Sequence, residues 1–123
     1  MSFDEKLAEF TKRRDKALAM GSARHLAERK AQGILNARER VAELVEPGSF
    51  EEFGLFALGI NPLARDRTPA DAAVCGFGRI DGRLMGINAA DFSTMAASSG
   101  RIQIKKYNHI RDLCVVNGHP LVN

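Results

Sequence analysis

Residues 73–80 and 83–91 are two runs rich in Val, Ile, Phe, Ala and Gly, separated by the dipeptide Asp81-Gly82. A two-residue loop between β-formers closes as a type I′ turn, which needs positive φ at both positions, and glycine accepts that without a steric cost. The pair is therefore a β-hairpin, and any fold must supply partners for its outer edges. Gly76, Gly78 and Gly86 remove side chains within its strands, so another strand or helix is expected to approach the backbone closely.

Ahead of the hairpin the chain is helical in character. Phe3, Leu7 and Phe10 recur at helical spacing and continue to Leu18, with Lys12, Arg13, Arg14 and Lys16 on the remaining face; this predicts an amphipathic helix over 3–19 that ends near Gly21. Ser22 caps a second helix over 23–32, stopped by Gly33. Asn36 followed three positions later by Glu39 is a capping box, and Val41, Leu44 and Val45 form the buried stripe of a third helix that ends at Pro47-Gly48. Composition then shifts to Phe, Gly, Val and Ile, which divides the chain into a helical arm, 1–47, and a sheet-bearing part, 48–123. In the latter, Phe50, Phe53, Leu55 and Phe56 read as a strand and 59–72 as a long loop of breakers and charge, of the kind that is functional or mobile. Residues 92–100 are mostly small. A final helix over 101–116 carries Tyr107, Ile110, Leu113 and Cys114 on one face, Asn117-Gly118 closes it, and 119–123 begin another strand. That last strand is expected to need a neighbour, so the unit reads as incomplete and prone to oligomerise.

Charge and composition exclude several functions. The 18 Lys and Arg against 15 Asp and Glu give a net charge of +3, spread evenly over both parts, and Trp is absent, so neither a polycationic arm nor a stacking platform for nucleic acid is present. No apolar run reaches membrane-spanning length, and the start MSFDEKLAEF places acids where a secretory signal carries bases, implying a cytoplasmic address. Cys75 and Cys114 sit in apolar surroundings and read as buried free thiols. Gly76-Phe-Gly78 runs into a hairpin rather than a helix, with Asp81 where a third glycine would stand, and so is not a dinucleotide fingerprint. His25, His109 and His119 lack metal-ligand spacing, and Ser93, Ser98 and Ser99 lack a nucleophile elbow. The Lys12 to Lys16 run reads as a solvated face, and Asp66, Asp71 and Asp91 as turn or cap residues.

The run Gln32-Gly33-Ile34-Leu35-Asn36-Ala37-Arg38-Glu39-Arg40-Val41, with Leu44 and Glu46-Pro47-Gly48-Ser49-Phe50-Glu51-Glu52 after it, resembles the N-terminal part of the carboxyltransferase (beta) subunit of biotin-dependent acyl-CoA carboxylases, the propionyl-CoA carboxylase type above all. Gly76-Phe-Gly78, Ile80-Asp81-Gly82-Arg83, Asp91-Phe92 and Asn117-Gly118 with Pro120 continue the likeness in order. The resemblance implies an α/β (α+β) fold: a partial crotonase-like β-β-α spiral preceded by the N-terminal helical arm. It implies a transfer of a carboxyl group from carboxybiotin, on a separate carrier protein or domain, to the α-carbon of an acyl-CoA, with no metal in this chain. The remaining part of the carboxyltransferase or a partner subunit, and an oligomer, would complete it; the chain alone is not expected to turn over. No catalytic residue is assigned here.

For acyl-CoA binding, the resemblance points to Met95, Ala96, Ala97 and Ser98 in the small-residue loop after the hairpin, where crotonase-like folds bring an acyl-CoA against the backbone, and to Arg38, Arg40, Arg101 and Lys105 for the CoA phosphates. The family commonly has Gly-Gly where Ala96-Ala97 stands, has Lys and Thr where Ile34 and Asn36 stand, and carries a Gly-Gly-Ala-Arg oxyanion segment that would follow Asn123. The alternative these departures raise is a non-catalytic assembly or regulatory subunit.

Overall fold

The structure is a computed structural model and describes residues 1–97 and 100–123. Each of the three helices in the first part starts on a side-chain cap. Ser2 accepts from Glu5 N to open α1 (Phe3–Leu18), Ser22 accepts from His25 N to open α2 (Ala23–Ala31), and Asn36 accepts from Glu39 N to open α3 (Ala37–Leu44). At α3 the box is complete, because Glu39 Oε2 also accepts from Asn36 N at 3.0 Å. Two orphan donors of the helix start are thereby satisfied.

A four-stranded sheet follows in the order β1 (Glu51–Phe53), β2 (Ala73–Ile80), β3 (Arg83–Ala90), β4 (Leu121–Val122). The hairpin is present as read: Ala73 opposes Ala90 and Ile80 opposes Arg83, with Asp81 at φ 49° and Gly82 at φ 77°. β1 is shorter than expected. Leu55 and Phe56 leave the strand because Gly54, at φ 71°, turns the chain away after Phe53. β4 is not bare: it lies parallel to β3, with Gly86 N donating to Pro120 O at 2.8 Å, and α4 (Arg101–Asn117) makes the crossover that a parallel pair requires.

Alternation along the hairpin sends successive side chains to opposite faces. Val74 and Ile87 meet Ala37, Val41 and Val45 of α3 and its end, forming the main apolar cluster. The expected boundary near residue 47 thus separates α3 from the sheet on which it packs. Leu44, expected in that stripe, is exposed. On the other face lies α4, with Ile110, Cys114 and Lys106 buried. The strand glycines admit these neighbours: a Cβ on Gly86 would lie 2.4 Å from Cys114 Sγ, and one on Gly78 would lie 2.6 Å from Val45 Cγ1.

The apolar stripe of α1 is largely unburied. Phe3, Leu7, Phe10 and Leu18 are exposed and only Ala17 is buried, although Phe10 stacks at a tilt on Phe56. Among the described residues no helix is long and apolar enough to cross a membrane. Cys75 and Cys114 are free and buried.

Candidate functional site

Between β3 and α4 the chain passes through a short turn, Met95–Ala97, in which every residue is left-handed: φ is 47° at Met95, 53° at Ala96 and 54° at Ala97. A Cβ in this region crowds the following carbonyl at about 1–2 kcal/mol per residue, so the surroundings must hold the turn in place. Upstream, the buried carboxylate of Asp91 accepts from Ser93 N, Ser93 Oγ (2.6 Å) and Thr94 Oγ1 (2.7 Å). Ser93 in turn accepts from Gly21 N through its hydroxyl and from Ser22 N through its carbonyl, which docks the α1–α2 junction onto the turn. Gly21 is required there, since a Cβ would fall 2.0 Å from Ser93 O.

Met95 and Ala96 are exposed in this turn. Ala97 N donates to Thr94 O at 2.8 Å, while the amides of Met95 and Ala96 find no acceptor among the described residues. Met95 and Ala96 open onto a cleft of about 480 Å³ whose walls include Ser22, His25, Arg67, Pro69 and Phe92. Over Phe92 stands the Arg29 guanidinium, 5.0 Å from the ring centroid.

Downstream, the turn leads into α4, whose N-cap is Gly100. Glycine has no side chain to cap with, and the missing oxygen comes from far away in sequence: Asp71 Oδ2 accepts from Gln103 N at 2.7 Å. Gln103 Oε1 accepts from Gly100 N at 3.1 Å. Asp71 belongs to a second left-handed run, with Ala70 at φ 52°, Asp71 at 45° and Ala72 at 61°. The 59–72 segment is therefore not a loose loop throughout, because Thr68 to Ala72 are buried.

Under that run lies Lys106. Its Nζ donates to Ala70 O at 2.8 Å and also to Ala73 O. Burial pushes the Lys106 ammonium below its ordinary pKa, Cys75 and the Glu52 and Asp71 carboxylates pull it back, and Arg38 adds to the lowering. The neighbouring Cys75 thiol is pushed up to about 11 by burial and donates to Asn88 Oδ1 at 3.0 Å.

The sequence-derived site residues do not all converge. Met95, Ala96 and Ala97 form the turn itself; Ser98 lies outside the described residues. Arg38 makes a two-pronged pair with Glu52, at 2.6 and 3.0 Å, and both side chains are largely buried. Arg40 rims a small cleft with Asn36, Asp91 and Phe92, while its Nε donates to Leu35 O. Arg101 and Lys105 are exposed, one turn apart on α4. None of these four cations lines the cleft at Met95 and Ala96; its basic walls are His25 and Arg67. Sequence reading missed those two and the buried Lys106; its reading of Asp71 as a turn or cap residue holds, although the helix start that Asp71 caps lies 32 residues away.

A profile of the carboxyl transferase domain matches residues 28–123, and the chain belongs to that family. The propionyl-CoA carboxylase beta chain of Cereibacter sphaeroides is 34% identical over 122 residues, which cover 94% of this chain and 23% of that one. The biotin-dependent long chain acyl-coenzyme A carboxylase beta4 subunit of Mycobacterium tuberculosis is 36% identical over 118 residues, 96% of this chain and 22% of that one. Transcarboxylase 12S, solved as a hexamer assembly with methylmalonyl-coenzyme A and methylmalonic acid bound, matches with a TM-score of 0.88 at 29% identity over 98% of this chain and 24% of that one. A single-chain, multi-domain long-chain acyl-CoA carboxylase matches with a TM-score of 0.84 at 27% identity over 98% of this chain and 13% of that one. The fold is thus the α/β (α+β) start of a carboxyltransferase of crotonase-like form, behind a helical arm. The chain spans less than a quarter of the length of these curated relatives.

Proposed function

We propose that this chain is the acyl-CoA-binding N-terminal portion of a biotin-dependent carboxyltransferase, which moves a carboxyl group from carboxybiotin to the α-carbon of an acyl-CoA. The observation that carries the reading is the left-handed Met95–Ala97 turn, in which Met95 and Ala96 line a cleft and their amides find no acceptor among the described residues. Removing a proton from the α-carbon of a thioester places negative charge on its carbonyl oxygen, and fixed backbone dipoles stabilise such charge without reorganising during the reaction. In this reading Met95 N and Ala96 N hold the thioester oxygen, and Ala96 and Ala97 leave room for it because their side chains are small. The alanines that stand where the family commonly has glycines adopt the left-handed conformation, which supports the catalytic reading over that of a non-catalytic subunit.

In this reading Arg40, which lines a separate small cleft, and the exposed Arg101 and Lys105 serve the CoA phosphates, whereas Arg38 is engaged by Glu52. Biotin supplies an activated carboxylate and arrives on a separate carrier. No side chain of this chain is assigned to its ureido ring: the unpartnered buried side-chain donor among the described residues is Arg38 Nε, which belongs to the Arg38–Glu52 pair. The rest of the carboxyltransferase, in the same or a partner chain, completes the site within an oligomer, a reading supported by the hexameric likeness. The buried free thiols Cys75 and Cys114 support a reducing, cytoplasmic setting.

The reading is tested by following backbone amide resonances while a short acyl-CoA is added to the chain. Met95 and Ala96 are expected to shift most. Shifts confined to residues around Phe10 and Phe56, which line a separate cleft with Lys16 and Leu58, with Met95 and Ala96 unmoved, would overturn it.

A further inference from the structure

We infer that Lys106 is a positioning residue for the Met95–Ala97 turn: by clamping the carbonyls of Ala70 and Ala73 it holds Asp71 against the start of α4, the point from which the turn is tied down. The proposal rests on the acyl-CoA reading only for its consequence in binding; the clamp itself stands on geometry.

Lys106 is 6% exposed, and among the described residues no carboxylate lies within ion-pair distance of it. Burying a cation without a counter-ion is unfavourable, and a methionine would fill similar space without that loss. What lysine adds is donors. Its Nζ reaches the carbonyls of Ala70 and Ala73, which bracket the left-handed run Ala70, Asp71, Ala72. From the same helix, Gln103 Nε2 donates to Ala72 O at 3.3 Å. Three carbonyls of a strained segment are thus held by α4, and Gly54 closes over the lysine stem, where a Cβ would meet Lys106 Cε at 2.8 Å.

The strained run returns the hold. Its conformation aims the Asp71 carboxylate at the first turn of α4, where Oδ2 accepts from Gln103 N. Both carboxylate oxygens crowd Gly100, since a Cβ there would fall 2.3 Å from Oδ2. Asp91 fixes the upstream end of the 91–100 segment and Asp71 the downstream end. Releasing Lys106 frees the run, the run releases Asp71, and the start of α4 loses its cap.

The test compares the chain with Lys106→Met and Asp71→Ala, reading amide hydrogen exchange at Gln103 and in the β2–β3 hairpin, and affinity for a short acyl-CoA by calorimetry. In Lys106→Met, Gln103 exchange is expected to rise about tenfold or more while hairpin protection holds, and affinity to fall by about tenfold. Asp71→Ala, which removes the accepting oxygen, should give the same local pattern, and the double variant should exceed neither single one, as expected for groups acting in series. Unchanged Gln103 exchange in Lys106→Met, or equal loosening of Gln103 and the hairpin, would overturn the clamp. Should Lys106→Met fail to fold, Lys106→Gln, whose side chain is one atom shorter and carries no ammonium, decides: raised Gln103 exchange supports the relay, and unchanged exchange contradicts it. If the parent chain binds no acyl-CoA, the functional reading fails while the exchange result still judges the clamp.

Discussion

The runs Ala70–Ala72 and Met95–Ala97 share a backbone hand and differ in almost everything else. The first is buried, with its carbonyls received by Lys106 and Gln103 and its carboxylate spent on capping α4. The second leaves Met95 and Ala96 exposed at the wall of a cleft, their amides without an acceptor among the described residues. Identical local strain thus serves two ends: inside, it is cancelled by hydrogen bonds and fixes a helix start; outside, it is left available to a ligand. The difference lies in what surrounds each run, because no residue in either is a glycine that would make the conformation free of cost.

Side-chain substitutions should separate the two runs. Ala72→Val adds a branched side chain to a site 2% exposed at φ 61°, and overpacking together with backbone strain is expected to cost about 3 kcal/mol in urea unfolding. Ala96→Gly, at the exposed run, should instead stabilise by about 1 kcal/mol, since glycine removes the left-handed penalty. Equal and opposite-signed surprises, a tolerant Ala72 or a destabilising Ala96→Gly, would break the contrast.

Between these in size is a pH effect beside the buried run. Cys75 begins to ionise at 9.0 in the unfolded chain but only at about 11 in the folded one. Its contribution is therefore complete below pH 9 and is lost as the pH rises to 11, by up to about 2 kcal/mol. Lys106 acts in the opposite sense, because its lowered value favours the folded state as the pH climbs toward its unfolded 10.5. The two are told apart by subtraction: the stability advantage of the parent over Cys75→Ala should shrink between pH 9 and 11, and a constant advantage would contradict the buried-thiol account.

What was legible in the residues was local. Asp81-Gly82, Asn36 with Glu39, Ser22 and Gly118 each carry their structural consequence within a few positions, and the hairpin, caps and helix ends follow from them. The loop was legible as a candidate site because small residues stand together there and because the chain resembles its family. Neither left-handed run was legible, since Met, Ala and Asp do not announce positive φ. Asp71 capping α4 and Lys106 buried beneath the sheet depend on contacts 32 and 36 residues away, beyond the reach of any periodicity. The Phe3, Leu7, Phe10 stripe shows the converse, an amphipathic pattern whose apolar face remains exposed.

The central claim is that the exposed run receives an acyl-CoA through its backbone. Calorimetric titration of the chain and of Ala97→Leu with a short acyl-CoA tests it most directly, because the added bulk sits beside the open amides and outside the buried run. The parent should bind, and Ala97→Leu should lose about tenfold or more in affinity while melting at an unchanged temperature. Equal affinity in both, or no binding by either in the millimolar range, would contradict the claim.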